Sequence, residues 1–121
     1  MKNKLYIRLD GDDIGNKIEL SLLNGKYEDA QEVHNIVQET MEKMYNKIRF
    51  KKSVEILMKG CDDILFSINK EDYQIEFLED LKRQFYHDSG FTFSAGIGDS
   101  INEALLNLRK AKLLGKNIIT E

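Results

Sequence analysis

The hydrophobic period of this chain switches back and forth between that of a strand and that of a helix. This restricts it to folds that layer helices on a sheet. Leu5–Asp10 alternates, with Leu5, Ile7 and Leu9 on one face and Tyr6, Arg8 and Asp10 on the other. From Glu28 to Ile48 the apolar positions Ala30, Val33, Val37, Met41, Met44 and Ile48 follow helical spacing. Val54–Lys59 and Ile64–Ile68 are short strand-like runs, and the Gly60-Cys61-Asp62-Asp63 segment between them reads as a hairpin turn. Asp72–His87 returns to helical spacing through Ile75, Leu78, Leu81 and Phe85, and Phe91–Ile97 alternates again. Ser100 and Glu103 form a capping box that opens a final helix. Gly115 is its C-terminal stop, and Asn117–Thr120 adds an edge strand.

That order predicts an α+β fold of ferredoxin-like topology: a βαββαβ core whose antiparallel sheet carries helices on one face, with an extra C-terminal helix and a short edge strand. In such a topology the second strand of the hairpin lies antiparallel beside the first strand, so the hairpin turn sits at the exit of strand one. The two segments brought together are LYIRLDGDDIG, Leu5–Gly15, and EILMKGCDDILF, Glu55–Phe66. Leu5, Ile7 and Leu9 face the helices, as do Ile64, Phe66 and Ile68. Asp10 and Asp63 are therefore predicted on an open, helix-free face.

Carboxylates at strand ends, flanked by glycines, are the donors a magnesium–triphosphate site requires. Magnesium takes one or two protein carboxylates, keeps some waters and shares phosphate oxygens. In nucleotidyl transfer one ion activates the attacking ribose hydroxyl and a second stabilises the leaving pyrophosphate. Two Mg2+ (or Mn2+) ions per site are thus expected. Asp10 is the candidate bridging ligand, and Gly11 leaves its own carbonyl free to approach the metal. Gly15 precedes a short helical stretch whose backbone N–H groups suit phosphate. Two other acidic motifs fit less well. As an EF-hand loop, Asp10 onward has Ile14 and Ser21 where oxygen ligands belong. A phosphoaspartate phosphatase would carry a hydroxyl residue at Ile14 and needs a longer chain.

Composition narrows the partners. The chain has 121 residues, of which 41% are hydrophobic, enough for one core and one domain spanning 1–121. A net charge of −3 argues against a general nucleic-acid surface, so no nucleic acid polymer is expected as partner. The single cysteine, Cys61, supplies neither a disulfide framework nor a thiol metal cluster and points to a reducing compartment. With no signal peptide at the start and no apolar run of membrane-spanning length, a cytoplasmic protein without a membrane partner is expected.

KGCDDILF resembles the GGDEF signature of diguanylate cyclases and, more closely, the GGDD form of CRISPR-associated polymerase palms. LDGDDIG resembles the first metal motif of those palms, and FTFSAGIG and ALLNLRKAKLLGKN resemble their closing blocks. The short chain is most similar to the minimal CRISPR polymerases, stand-alone palms associated with antiphage defence. The resemblance implies catalysis and metal ligation by Asp10, Asp62 and Asp63 together with the Gly11 carbonyl. Strand alternation favours Asp63 and motif position favours Asp62, and both are retained. It further implies that Lys112 and Lys116 contact triphosphate, within a nucleotide-binding set that also holds Gly11, Asp13, Gly15 and Gly60. Ile18 stands where diguanylate cyclases place the asparagine that reads guanine, which moves the expectation to adenine. The implied activity joins two ATP into cyclic di-adenylate with release of pyrophosphate. A homodimer with its active site at the subunit interface and a product-binding effector complete the expected partners. The alternatives are a mononucleotide cyclase or short-oligonucleotide polymerase of the same fold, and a catalytically silent nucleotide sensor.

Several of these residues also have plainer readings. Asp12 and Asp13 read equally well as solvated turn residues. Lys110, Lys112 and Lys116 suit a helix C-terminus electrostatically. Ser94 reads as an ordinary strand serine and Cys61 as a small packing residue. His34 and His87 read as structural or solvent-facing, and Tyr6 and Arg8 share the open face with Asp10.

Overall fold

The computed structural model describes residues 3–121, so the first two residues of the predicted 1–121 span lie outside the described residues. The chain forms β1 (Lys4–Gly11), α1 (Ile14–Leu23), α2 (Tyr27–Arg49), β2 (Glu55–Lys59), β3 (Asp63–Asn69), α3 (Ile75–Ser89), β4 (Phe93–Gly98), α4 (Ile101–Leu113) and β5 (Ile119–Thr120). The strands lie in the order β2-β3-β1-β4-β5, which is the predicted ferredoxin-like arrangement with β5 added at one edge. β1 is antiparallel to both β3 and β4, whereas β5 runs parallel to β4, so the added strand makes the sheet mixed. Among the described residues no helix is long and apolar enough to cross a membrane.

Alternation decides which face is dry. Ile7 and Leu9, Ile64, Phe66 and Ile68, and Phe93, Ala95 and Ile97 all join one buried cluster with α2 and α3. Phe66 and Leu78 have no exposed surface there, and burial of each such side chain contributes roughly 1.5–3 kcal/mol. Several boundaries differ from the sequence reading: the strand read from Phe91 starts at Phe93, and the edge strand read from Asn117 starts at Ile119. The predicted helix Asp72–His87 starts only at Ile75, because Lys70–Asp72 forms a 3-10 turn and Tyr73 and Gln74 are extended. The apolar helical register itself begins at Ile75, and Tyr73 packs against the core from the extended stretch without needing a helix. Gly15, placed ahead of a helical stretch, lies inside the first turn of α1.

The face carrying Asp10 is not free of helices. Ser94, Gly96 and Gly98 alternate away from the core, and α4 packs over them. A Cβ at Gly96 would stand 2.1 Å from the Ala104 carbonyl oxygen and 2.2 Å from the Leu108 nitrogen. Ala104 and Ala111, buried on α4, keep the helix side of this contact equally thin. The Ser100 hydroxyl accepts from the Glu103 N–H at 3.1 Å, and this predicted cap fixes where α4 begins. The expectation of helices on one face therefore holds for α2 and α3, while α4 covers the β4 side of the opposite face. Gly96→Ala is expected to lower stability by about 1–3 kcal/mol, since backbone rather than a flexible side chain must yield. Thermal unfolding of the variant checks this, and a melting point equal to that of the parent chain would refute the close approach.

Candidate active site

β1 runs between β3 and β4, and its register sets Asp10 directly opposite Asp63 on one side and Ser94 on the other. The hairpin turn closes with the Gly60 N–H donating to the Asp63 carbonyl at 2.9 Å. The Gly11 N–H donates to the Asp62 carbonyl at 2.8 Å, which clamps the turn against the exit of β1. A Cβ at Gly60 would lie 2.0 Å from Asp63 Oδ1, so a larger residue there would displace that carboxylate. Asp10, Asp62 and Asp63 thus each offer a carboxylate oxygen, all within 4.8 Å of one another. The topology brings together both retained candidates, Asp62 and Asp63.

Two cations hold this cluster. Arg8, two residues before Asp10 on the same face, donates to Asp63 Oδ2 at 2.6 Å. Lys112 reaches in from the last turn of α4 to Asp10 Oδ2 at 3.1 Å, the Gly11 carbonyl at 2.9 Å and Asp12 Oδ1 at 2.6 Å. Burial alone would lower the Lys112 pKa, but the Asp12 and Asp10 carboxylates outweigh it and hold the ammonium above its ordinary value. Burial and then repulsion from Asp10 and Asp63 push the Asp62 carboxyl above its ordinary value. Asp10, Asp12, Asp62 and Asp63 against Arg8 and Lys112 leave two negative charges uncompensated. Hard oxygen donors with that excess fit a divalent cation of the magnesium type.

Asp12 is the residue the sequence undervalued. It is not a solvated turn carboxylate: it is 4% exposed and sits among four donors. Thr92 Oγ1 at 2.7 Å, Ser94 Oγ at 2.9 Å, the Asn117 N–H at 2.9 Å and Lys112 at 2.6 Å all donate to it. Burial pulls its carboxyl upward, but the bonds from Lys112, Thr92, Ser94 and Asn117 together hold it below its ordinary value. Ser94 is accordingly a buried donor rather than an ordinary strand serine. The alternation that put Ser94 on the Asp10 face was the available signal. Asp13, by contrast, is exposed in a left-handed conformation (φ 62°) at the N-cap of α1, paired with Lys116 at 2.5 Å. Both lysines expected on triphosphate are thus engaged by protein carboxylates.

A cavity of about 180 Å³ opens beside the cluster between α1 and α2, ending at Cys61 and Asp62. Its apolar lining is Ile14, Ile18 and Val37, and its polar lining on α2 is His34 and Gln38. His34 read as structural or solvent-facing because its neighbours come from α1 and the hairpin turn, which helical spacing on α2 cannot reveal. Cys61, read as a packing residue, is exposed at the turn.

Solved structures similar in fold include palms of two kinds. A Csm1-Csm4 cassette in complex with cA4 matches with a TM-score of 0.69 at 15% identity, covering 98% of this chain and 21% of that chain. The cassette in complex with one ATP matches with a TM-score of 0.68 at 17% identity, over 97% of this chain and 20% of that chain. The diguanylate cyclase SiaD, in complex with its activator SiaC from Pseudomonas aeruginosa, gives 0.58 at 14% identity over 97% and 49%. The chain therefore spans about a fifth of the cassette chains and half of the cyclase chain, and at these identities the likeness is one of fold. Among curated proteins no relative matches it. The fold and the two acidic motifs agree with a sequence model that matches residues 6–121, and the chain belongs to the minimal CRISPR polymerase domain family.

Proposed function

We propose that this palm is a metal-dependent nucleotidyltransferase that joins two NTPs into a cyclic dinucleotide, with ATP as substrate and cyclic di-adenylate as product. The observation that carries the reading is the trio of carboxylate oxygens within 4.8 Å on adjacent strand ends of a polymerase-family palm. Asp10, Asp62 and Asp63, with the Gly11 carbonyl, would hold Mg2+ or Mn2+. Bound there, the metal supplies charge against the reacting phosphate and lowers the pKa of the attacking hydroxyl. The chain's own work is positioning. Arg8 fixes Asp63, Lys112 fixes the backbone and carboxylate of Asp10, and Asp12 fixes Lys112, so the donor oxygens are set before substrate arrives.

In the joining step a ribose 3′- or 2′-oxygen of one nucleotide bonds to the α-phosphorus of the other. The bond from that phosphorus to the β-phosphate bridging oxygen breaks, pyrophosphate leaves, and the hydroxyl proton passes to solvent. A second such step in the reverse sense closes the ring. With one cluster per chain and two bonds per product, a homodimer of facing palms is the economical assembly. A product-binding effector would then carry the signal in antiphage defence. Ile18 in the α1 wall of the cavity supports adenine, as do the cassette structures in complex with ATP and with cA4. The cA4 complex also favours one second reading, a longer oligoadenylate, which product mass separates from the first.

Purified protein with Mg2+ or Mn2+ and each NTP, singly and mixed, is expected to yield a cyclic dinucleotide from ATP, identified by mass spectrometry and linkage-specific nuclease digestion. Intact NTPs under every condition, with folded protein, would overturn the enzyme reading in favour of a silent nucleotide sensor.

A further inference from the structure

We propose a second site, separate from the carboxylate trio and independent of the transferase reading: a basic, aromatic patch at the C-terminal end of α2 that binds single-stranded nucleic acid. Lys47-Ile48-Arg49-Phe50-Lys51-Lys52 carries four cations in six residues, so the chain-wide charge of −3 averages over a local run of the opposite sign. Ile48 is buried in the core and the other five residues are exposed, Phe50 to 78%. The helix dipole accounts for Lys47 and Arg49 in the last turn of α2. It does not account for Lys51 and Lys52, which lie beyond the helix, nor for a phenyl ring left in water.

Carboxylates do not neutralise the patch. Among the described residues none forms an ion pair with Lys47, Arg49 or Lys51, and Lys52 only approaches Asp72 at 3.9 Å. The cations sit on rings instead. Arg49 lies 4.8 Å from the Phe50 centroid and 5.5 Å from that of Tyr45, and Lys51 lies 4.6 Å from that of Phe77. Rings with cations beside them offer stacking surface and phosphate-binding charge together, which is how a single strand is held without reading its sequence. Next to them a cavity of about 280 Å³ lies between α2 and α3, with Phe77 and Leu81 as its apolar lining and the exposed Lys47 and Lys51 at its mouth. Asp80, which also lines it, is taken by Arg83. An unstacked base fits such a cavity with its phosphates on the lysines. A duplex hides its base faces, and a lipid surface calls for several apolar side chains together, whereas Phe50 stands alone among charges.

The patch is remote from the trio. The Asn69 N–H donates to the Ser53 hydroxyl at 2.9 Å, so the segment after α2 meets the end of β3, and Asp63 stands at its start. The seven residues of β3 span roughly 20 Å.

The test follows binding of a short fluorescein-labelled oligonucleotide of mixed sequence, as DNA and as RNA, to the full chain by fluorescence anisotropy. EDTA is present, so that no metal at the trio draws phosphate, and anionic phosphatidylserine vesicles serve as the comparison surface. Four phosphate contacts predict a slope of log affinity against log salt of about −3, a loss of about 50-fold between about 50 and 200 mM salt. Phe50→Ala should lower affinity about tenfold and leave that slope unchanged. Lys51→Glu combined with Lys52→Glu should lower affinity and cut the slope to about half. All three side chains are exposed, so both variants are expected to fold and to keep the parent's Mn2+ affinity. Failure of the folded parent chain to bind either oligonucleotide at the lower salt would overturn the proposal. So would an affinity unchanged in either variant, or capture by the vesicles without oligonucleotide binding.

Discussion

Asp62→Ala will abolish product formation and leave the melting temperature equal to or above that of the parent chain. The two halves of this expectation have one cause. Burial and the neighbouring Asp10 and Asp63 carboxylates raise the Asp62 pKa above its ordinary 3.8. A raised carboxyl pKa means that the ionised group at neutral pH destabilises the fold relative to the unfolded chain, so removing it relieves a cost. The same group is a third of the donor trio. Losing it should remove several kcal/mol of charge stabilisation, about 10³-fold in rate. Asp63→Ala will behave differently, although the residues are adjacent. It strips the partner from Arg8, whose side chain is 19% exposed and whose Nε already lacks one. Asp63→Ala should therefore lose stability, by about 1–3 kcal/mol, as well as product. Product yield, Mn2+ affinity and thermal unfolding of both variants separate these effects. An Asp62→Ala protein that unfolds well below the parent, or that keeps its turnover, would count against a dedicated metal site.

Asp12→Asn is expected to cost about 3 kcal/mol of stability, seen as a melting point lower by about 10 °C. The substitution keeps the shape but puts an NH2 in place of one carboxylate oxygen, so either Ser94 and Lys112 or Thr92 and Asn117 lose their acceptor, and it removes the negative charge that faces the Lys112 ammonium. Because the folded pKa of Asp12 is lowered from 3.8, its contribution is complete above that unfolded value. It disappears as the pH falls through the folded one. The gap in stability between the parent chain and Asp12→Asn should accordingly be largest near neutrality and close in acid. A solvated turn carboxylate would give a difference within about 0.5 kcal/mol at every pH. Denaturant unfolding at neutral and acid pH decides between them.

Much of the site's outline was legible because it depends on local pattern. Alternation through Leu5, Ile7 and Leu9 and through Ile64, Phe66 and Ile68 marks two core-facing strands. The ferredoxin-like order sets β3 antiparallel beside β1, so Asp10 opposite Asp63 follows from topology. What holds the outline in place was not legible. The donors to Asp12 come from Thr92, Ser94 and Asn117, and its cation comes from α4, all remote in sequence. Glycines at 96 and 98 and alanines at 104 and 111 allowed α4 to close on the second face, but a small residue shows only that an approach is possible.

By itself, then, the sequence determined the succession of strands and helices, the face each buries and the two acidic segments that meet. Burial on one face imprints a period on neighbouring residues, and a period can be read without a partner. Only the tertiary structure decided that Asp12 is a buried anchor, that Lys112 and Lys116 are paired with carboxylates, and that His34 and Gln38 border a cavity beside Asp62. Each of those depends on how separate elements pack, a relation between distant side chains that leaves no periodic trace in either segment.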